Sequence, residues 1–228
     1  MSDSASRSRG FAPRWLRTIE AAAIAGFAHS ALALIATAML LDAPDPGLGD
    51  AVVAEFYSDS GNQARMMLAV NLMVVSSIAF LWFVAVIRRR VGERENRFFG
   101  TVFLGSALLL TGTWLVAGVL FATPALASRT FETTPDAGTV AVLQSAGLTM
   151  ASVVATRLEA VFIISTTTVG RLSEAFPRWL VVVGYIVGLT LLLIPVPNVF
   201  VTYVFPIWVA AVSATILVRR DQIDLSTT

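Results

Sequence analysis

The sequence predicts an all-α fold, a polytopic transmembrane helical bundle of about six spans with both termini cytoplasmic. Three observations carry this. Hydrophobic residues make up 56% of the 228-residue chain and charged residues only 14%, at a mean hydropathy of +0.77, too apolar for a soluble domain of that length. Six stretches come near the roughly 20 apolar residues that cover a hydrocarbon core of about 30 Å. The arginines fall on alternate sides of those stretches, as a multi-pass topology requires.

Residues 1–17 form a cytoplasmic tail, polar and without order over 1–10, with Phe11 and Trp15 suited to the headgroup level. The first span covers 18–41. Its apolar run exceeds the roughly 7 to 15 residues of a signal-peptide core, so a retained helix is expected. The first outer loop, 42–65, opens with Asp-Ala-Pro-Asp-Pro-Gly and then sets Val52, Val53, Phe56 and Tyr57 on one face at helical spacing, which predicts a short interfacial helix. The second and third spans cover 66–87 and 98–121. In the second outer loop, Thr134-Pro135-Asp136 reads as a capping residue, a proline at the first helical position and an acid in the first turn. The fourth helix, whose spanning part is 142–170, therefore begins near 135 and is about 50 Å long at 1.5 Å per residue. The fifth span, 179–195, is the shortest. Pro195-Val-Pro-Asn198 reads as a tight turn that makes helices five and six an antiparallel hairpin. The sixth span covers 199–218, with Pro206 expected to kink it, and 219–228 is a second cytoplasmic tail. Two three-helix halves of opposite orientation are the layout of inverted repeats, but these halves share no matching sequence, so 18–218 is one domain.

Sorted by these spans, the inner side carries thirteen arginines against six acids, net +7, and the outer side Arg65 and Arg129 against seven acids, net −5. The remaining Arg157, Glu20 and Glu159 bring the total to +1. Near-neutrality thus conceals a polarised molecule with its arginine-rich side in the cytoplasm. Glu20, three residues after Arg17 at the cytoplasmic boundary, reads as a surface pair.

Every cation in the chain is arginine, Cys is absent and His29 is the sole histidine. Disulfides, thiolate metal sites, Cys nucleophiles, Schiff-base lysines and two-His metal or haem ligation within one chain are excluded. No phosphate-binding, zinc-protease, nucleophile-elbow or C-x-x-C motif occurs, so no cofactor, metal or catalytic residue is expected. A net charge of +1 provides no basic stripe for nucleic acid.

Ionisable groups within a membrane are costly and are functional candidates by default. Three lie near the midplane: His29 in the first span, and Arg157 and Glu159 in the fourth. His29 shares a face with small residues, Ala22, Ala25, Gly26, Ala33 and Ala36, which admits close approach of a neighbouring helix. Ser145, Thr149, Ser152, Thr156, Glu159, Ile163 and Thr166 recur at alternating spacings of four and three, a polar seam along one side of helix four. Arg157 stands about 200° away on the wheel, so it and Glu159 serve different faces. The candidate polar core is His29, Arg157, Glu159, Ser152, Thr156 and Asn71, with Ser76, Ser77, Thr111 and Thr113 available to complete it. Such a seam serves helix packing or a permeation path, and the first use is the commoner. His29 likewise is either a packing histidine, bonded to a backbone carbonyl or to Glu159, or a proton relay. Gly184-Tyr-Ile-Val-Gly188 is a G-x-x-x-G packing motif, for a neighbouring helix or a second copy.

Phe176-Pro-Arg-Trp-Leu180 leading into a Gly-containing fifth helix, together with Arg88, Arg89 and Arg90 after helix two, resembles a broad set of uncharacterised bacterial six-helix integral membrane proteins common in actinobacteria. The resemblance covers the general layout and implies no particular activity. The absence of catalytic signatures leads to a non-enzymatic accessory, scaffold or regulatory subunit of the plasma membrane. The lipid bilayer is its surroundings, and a protein partner or a homo-oligomer would form through small-residue helix faces. A small proton-linked transporter or channel using the seam of helix four is the alternative. A lipid-active enzyme with Glu159 and His29 as acid and base is the third reading.

Overall fold

A computed structural model describes residues 19–91, 97–193 and 199–225, with side chains over 21–88, 100–193 and 199–218. Among these residues there is no strand. The long helices are α1 (Ile19–Leu41), α3 (Ser60–Val91), α4 (Arg97–Phe131) and α8 (Val204–Leu225). A fifth is composite: α5 (Ala137–Thr149), a π-helical stretch Met150–Ala155, and α6 (Thr156–Leu172). α2 (Asp50–Ser58) is short, and α7 (Arg178–Leu193) has 16 residues, about 24 Å at 1.5 Å each. Five segments are long and apolar enough to cross a membrane, and α7 is the shorter apolar helix beside them. Large apolar side chains stand exposed on every one of these helices, among them Ile35, Val75, Trp82, Leu109, Val119, Ile186 and Ile207. In water such a surface would associate, whereas in a bilayer it is the solvated face.

Between apolar helices in lipid there is little hydrophobic driving force, so close fit decides which ones meet. α1 lies along α3 and α8, α3 along α4, and α4 along the composite helix. A methyl added at Gly26 of α1 would overlap Ser213 of α8 and Phe83 of α3. The G-x-x-x-G of α7 is spent inside the chain, Gly184 against Thr167 and Gly188 against Ile164 of α6. The expected hairpin of helices five and six therefore does not form: α7 packs mainly on α6 and α8 on α1. The turn at Pro195-Val-Pro-Asn198 lies outside the described residues, as do the tail 1–17, Arg94 and residues 226–228.

Several boundaries differ from the sequence reading for local reasons. The composite helix starts two residues later than expected because Asp136, not Thr134, is its cap, accepting from the Thr139 N–H at 2.9 Å and the Thr139 hydroxyl at 2.6 Å. Aspartate is among the best capping residues. α4 runs ten residues past the expected end of the third span and carries Pro124 within it. Pro206 does not kink a continuous helix. The chain is a 3₁₀ turn over Val199–Tyr203, α8 begins at Val204, and proline in a first turn forfeits no helical hydrogen bond.

The short helix expected in the first outer loop is α2, held down by Val53 and Tyr57, both fully buried, while Val52 is exposed. Asp50 accepts from the Ala137 N–H at 2.7 Å, Gln144 Nε2 donates to the Pro44 carbonyl at 3.1 Å, and Arg65 of α3 pairs with Asp42. These contacts gather the 42–59 and 132–137 connections at one end of the bundle, the loop end. Arg65 and Arg129 lie at that end, and Arg88, Arg171 and Arg178 at the other.

Candidate functional site

At mid-height, α1, α3, α4 and α6 bring together His29, Ser76, Trp114 and Glu159. His29 is fully buried, and its Nδ1 lies 2.9 Å from Ser76 Oγ and 3.2 Å from the Ser76 carbonyl oxygen. A carbonyl only accepts, so Nδ1 carries the proton. The Ser76 hydroxyl donates in turn to the His29 carbonyl at 3.0 Å. His29 is thus bonded to a backbone carbonyl, one of its two anticipated partners. Among the described residues its Nε2 has no hydrogen-bond partner and faces rings. Trp114 stacks on it with centroids 5.3 Å apart, and Phe80 lies at 5.0 Å and Phe205 at 6.1 Å.

Trp114 Nε1 donates to Glu159 Oε1 at 3.2 Å, and Glu159, 1% exposed, has no partner for Oε2. The indole therefore links the two ionisable residues by stacking on one and hydrogen-bonding the other. Trp114 was not among the residues anticipated. Its signal was present, however: tryptophan favours membrane interfaces, and one at mid-span needs an acceptor for its N–H. Around this core Phe103, Phe162, Phe205 and Trp208 form a continuous set of rings, with Phe103 and Phe162 at 4.9 Å and Phe162 and Phe205 at 5.7 Å.

The seam of helix four is one buried face only from Ser152, inside the π-helical stretch, onward. Ser152, Thr156, Glu159, Ile163 and Thr166 are buried, whereas Ser145 and Thr149 are exposed. A wide turn adds one residue and rotates the helix beyond it by about 100°, so positions aligned on an ideal α-helix part company across it. Gly147, against Phe121 and Ala117, is continued on the buried face by Ser152, five residues on. The buried hydroxyls turn back onto their own helix: Ser152 donates to the Leu148 carbonyl at 2.7 Å, Thr156 to that of Ser152 at 2.8 Å and Thr166 to that of Phe162 at 2.7 Å.

Arg157, half-buried, lies on the other side of the helix and reaches back to the Val153 carbonyl at 3.2 Å and the Ser152 carbonyl at 3.5 Å. A wide turn leaves a carbonyl short of its usual partner, and here Thr156 and Arg157 supply donors to it. Asn71 is exposed and donates to the Met67 carbonyl at 2.8 Å, apart from the core. Thr111 and Thr113 likewise bond carbonyls of their own helix. No group of three acidic or histidine side chains able to hold a metal occurs among the described residues.

Fold and core together define an all-α integral membrane bundle with a buried imidazole and carboxyl joined through an indole. No family model, curated protein or solved structure matches the chain.

Proposed function

We propose that this is a non-enzymatic accessory, scaffold or regulatory subunit, a multi-pass protein of the bacterial plasma membrane with both termini in the cytoplasm. The observation that carries the reading is the state of the polar seam. Its buried hydroxyls are satisfied within their own helix, and rings pack around His29, with Trp114 between it and Glu159, which supports polar residues that serve helix packing rather than line a path. The test is purification of the full chain from its own membranes in mild detergent, with mass spectrometry of what accompanies it. A partner present in fixed proportion is expected, and repeated recovery of the chain alone overturns the proposal.

A second reading, a proton-linked carrier, draws on the second carboxyl oxygen of Glu159, buried and without a partner. On that reading Glu159→Gln abolishes proton flux in proteoliposomes while the protein stays folded; equal flux from both proteins removes it. An enzyme using Glu159 and His29 as acid and base gains no support, because Trp114 stacks on one and bonds the other.

A further inference from the structure

The loop end of the bundle holds a vestibule of about 330 Å³. That is about twice the roughly 150 Å³ cavity that admits benzene, and it stands at the lower end of the roughly 300–1,000 Å³ of small-molecule sites. Its apolar wall comes from Leu40 and Leu41 at the end of α1, Phe121 of α4 and Leu148 of α5. The polar side chains in its lining are Asp45, Gln144 and Ser145. Mostly apolar walls with a few fixed polar groups are what ligand sites present.

The polar part is held in position. Asp45 Oδ1 accepts from the Gly47 N–H at 2.8 Å, and Gln144 Nε2 donates to the Pro44 carbonyl at 3.1 Å, which ties the segment bearing Asp45 to α5. A site whose groups are already placed loses less on binding. Three features of the charge favour a cation. Asp45 is the one ionisable side chain in the lining, it is exposed, and among the described residues no cation pairs with it, Arg65 being taken by Asp42. α1 ends at Leu41, so the negative end of its dipole lies beside the wall that Leu40 and Leu41 form. Acids outnumber arginines seven to two at this end of the bundle, and a cleft with surroundings of one sign concentrates the opposite charge.

We propose that this vestibule is a binding site for a small organic ammonium ion with a compact apolar body, its ammonium against Asp45 and its body against Leu40, Leu41, Phe121 and Leu148. The combination of walls and charge selects the class. An inorganic cation makes no use of the apolar wall, a neutral molecule forgoes the carboxylate, and an anion meets like charge. A phosphatidylethanolamine headgroup offers the same ammonium but brings a phosphate to the acidic end, which favours a free amine as the source. The site goes beyond the accessory reading and does not depend on it, since either an accessory subunit or a carrier can hold such a ligand.

The test compares three probes of similar size, 2-phenylethylammonium, 2-phenylethanol and phenylacetate, on the full chain in uncharged maltoside detergent at neutral pH, with uptake by empty micelles subtracted. Saturable binding of one ammonium ion per chain is expected, about two- to fivefold tighter than that of the alcohol, as befits one exposed charge pair, with the anion weakest. Added salt should narrow the gap. Asp45→Asn still accepts from the Gly47 N–H, so it should keep the loop, leave the alcohol unchanged and remove the preference for the ammonium. Ser145→Trp, at an exposed lining position, should fill the vestibule and abolish binding of all three. The probe order on the unaltered chain keeps the test decisive if a variant does not fold. Uptake equal to that of empty micelles overturns the proposal, as do phenylacetate binding as tightly as the ammonium and a folded Asp45→Asn protein with its preference intact. Full binding by folded Ser145→Trp overturns the location. Displacement of the probe by dispersed phosphatidylethanolamine overturns the assignment to a free amine.

Discussion

The Trp114 indole N–H, 3.2 Å from Glu159 Oε1, is the one hydrogen-bond donor to this buried carboxyl group among the described residues. Replacing Trp114 by Phe keeps a ring against His29 and takes the donor away, leaving both carboxyl oxygens buried without one. The expected cost is about 1–3 kcal/mol of stability. Glu159→Gln retains an acceptor for the indole, so its cost should be smaller, and the double variant should lose less than the sum of the two. Thermal unfolding of the four proteins in detergent measures this. A Trp114→Phe protein as stable as the starting chain would show that the contact contributes nothing.

The π-helical stretch is held by donors from the next turn. Thr156→Val keeps the shape and removes the hydroxyl that donates to the Ser152 carbonyl at 2.8 Å, which leaves the Arg157 guanidinium, at 3.5 Å, as a longer side-chain donor to it. A loss of about 1 kcal/mol is expected, together with faster hydrogen exchange at the amides of 152–157. Exchange unchanged across that segment would mean the hydroxyl does not maintain the wide turn.

The features legible in the sequence are those set by rules that act locally or along a single helix. Apolar length is a one-dimensional property, so five of the six expected spans are long and apolar enough to cross a membrane, while the expected fifth, α7, is shorter. The α2 face that anchors at Val53 and Tyr57 was visible in helical spacing, and Gly184-x-x-x-Gly188 announced a close contact. Extrapolation across backbone irregularity failed. Ser145 and Thr149 were aligned with Glu159 on an ideal helix, but propensity does not show where a turn widens, as it does over Met150–Ala155. The pairing of α7 with α6 rather than α8 is a choice among apolar faces of similar composition, settled by fit. His29 and Glu159 stood out singly, while the residue that joins them, Trp114, belonged to a type expected at the interface.

Two glycines separate packing from flexibility. A Cβ at Gly184 would press on Thr167, whereas one at Gly112 of α4 meets nothing within 4 Å. Gly184→Ala should therefore cost about 1–3 kcal/mol through overpacking of α7 on α6. Gly112→Ala should be neutral or stabilise by up to about 1 kcal/mol, because alanine is the better helix former. The comparison is a pair of melting temperatures. A Gly184→Ala protein at least as stable as Gly112→Ala would rule out a close α6–α7 seam.

Orientation is testable at the carboxyl terminus. The spans expected from the sequence put thirteen arginines on one side and two on the other, so a reporter fused after Thr228 should be active only in the cytoplasm. One on the outside would reverse the topology and place the vestibule toward the cytoplasm.

Acid sensitivity should concentrate at the start of the composite helix. Hydrogen bonds from the Thr139 hydroxyl, and then from the Thr139 N–H, hold the Asp136 carboxyl below its ordinary pKa of 3.8. A depressed folded-state pKa favours folding wherever the carboxylate is ionised, so the contribution is complete above the unfolded value and disappears as pH falls through the lower folded one. Asp136→Asn can still cap the helix but does not titrate. The melting temperature of the unaltered chain should thus exceed that of the variant near neutrality, and the gap should close as the pH drops below about 4. Thr139→Val removes the larger of the two hydrogen-bonding effects and should shift that closure toward higher pH. A gap that stays constant with acidification would show that Asp136 supports the helix through geometry alone, without its charge.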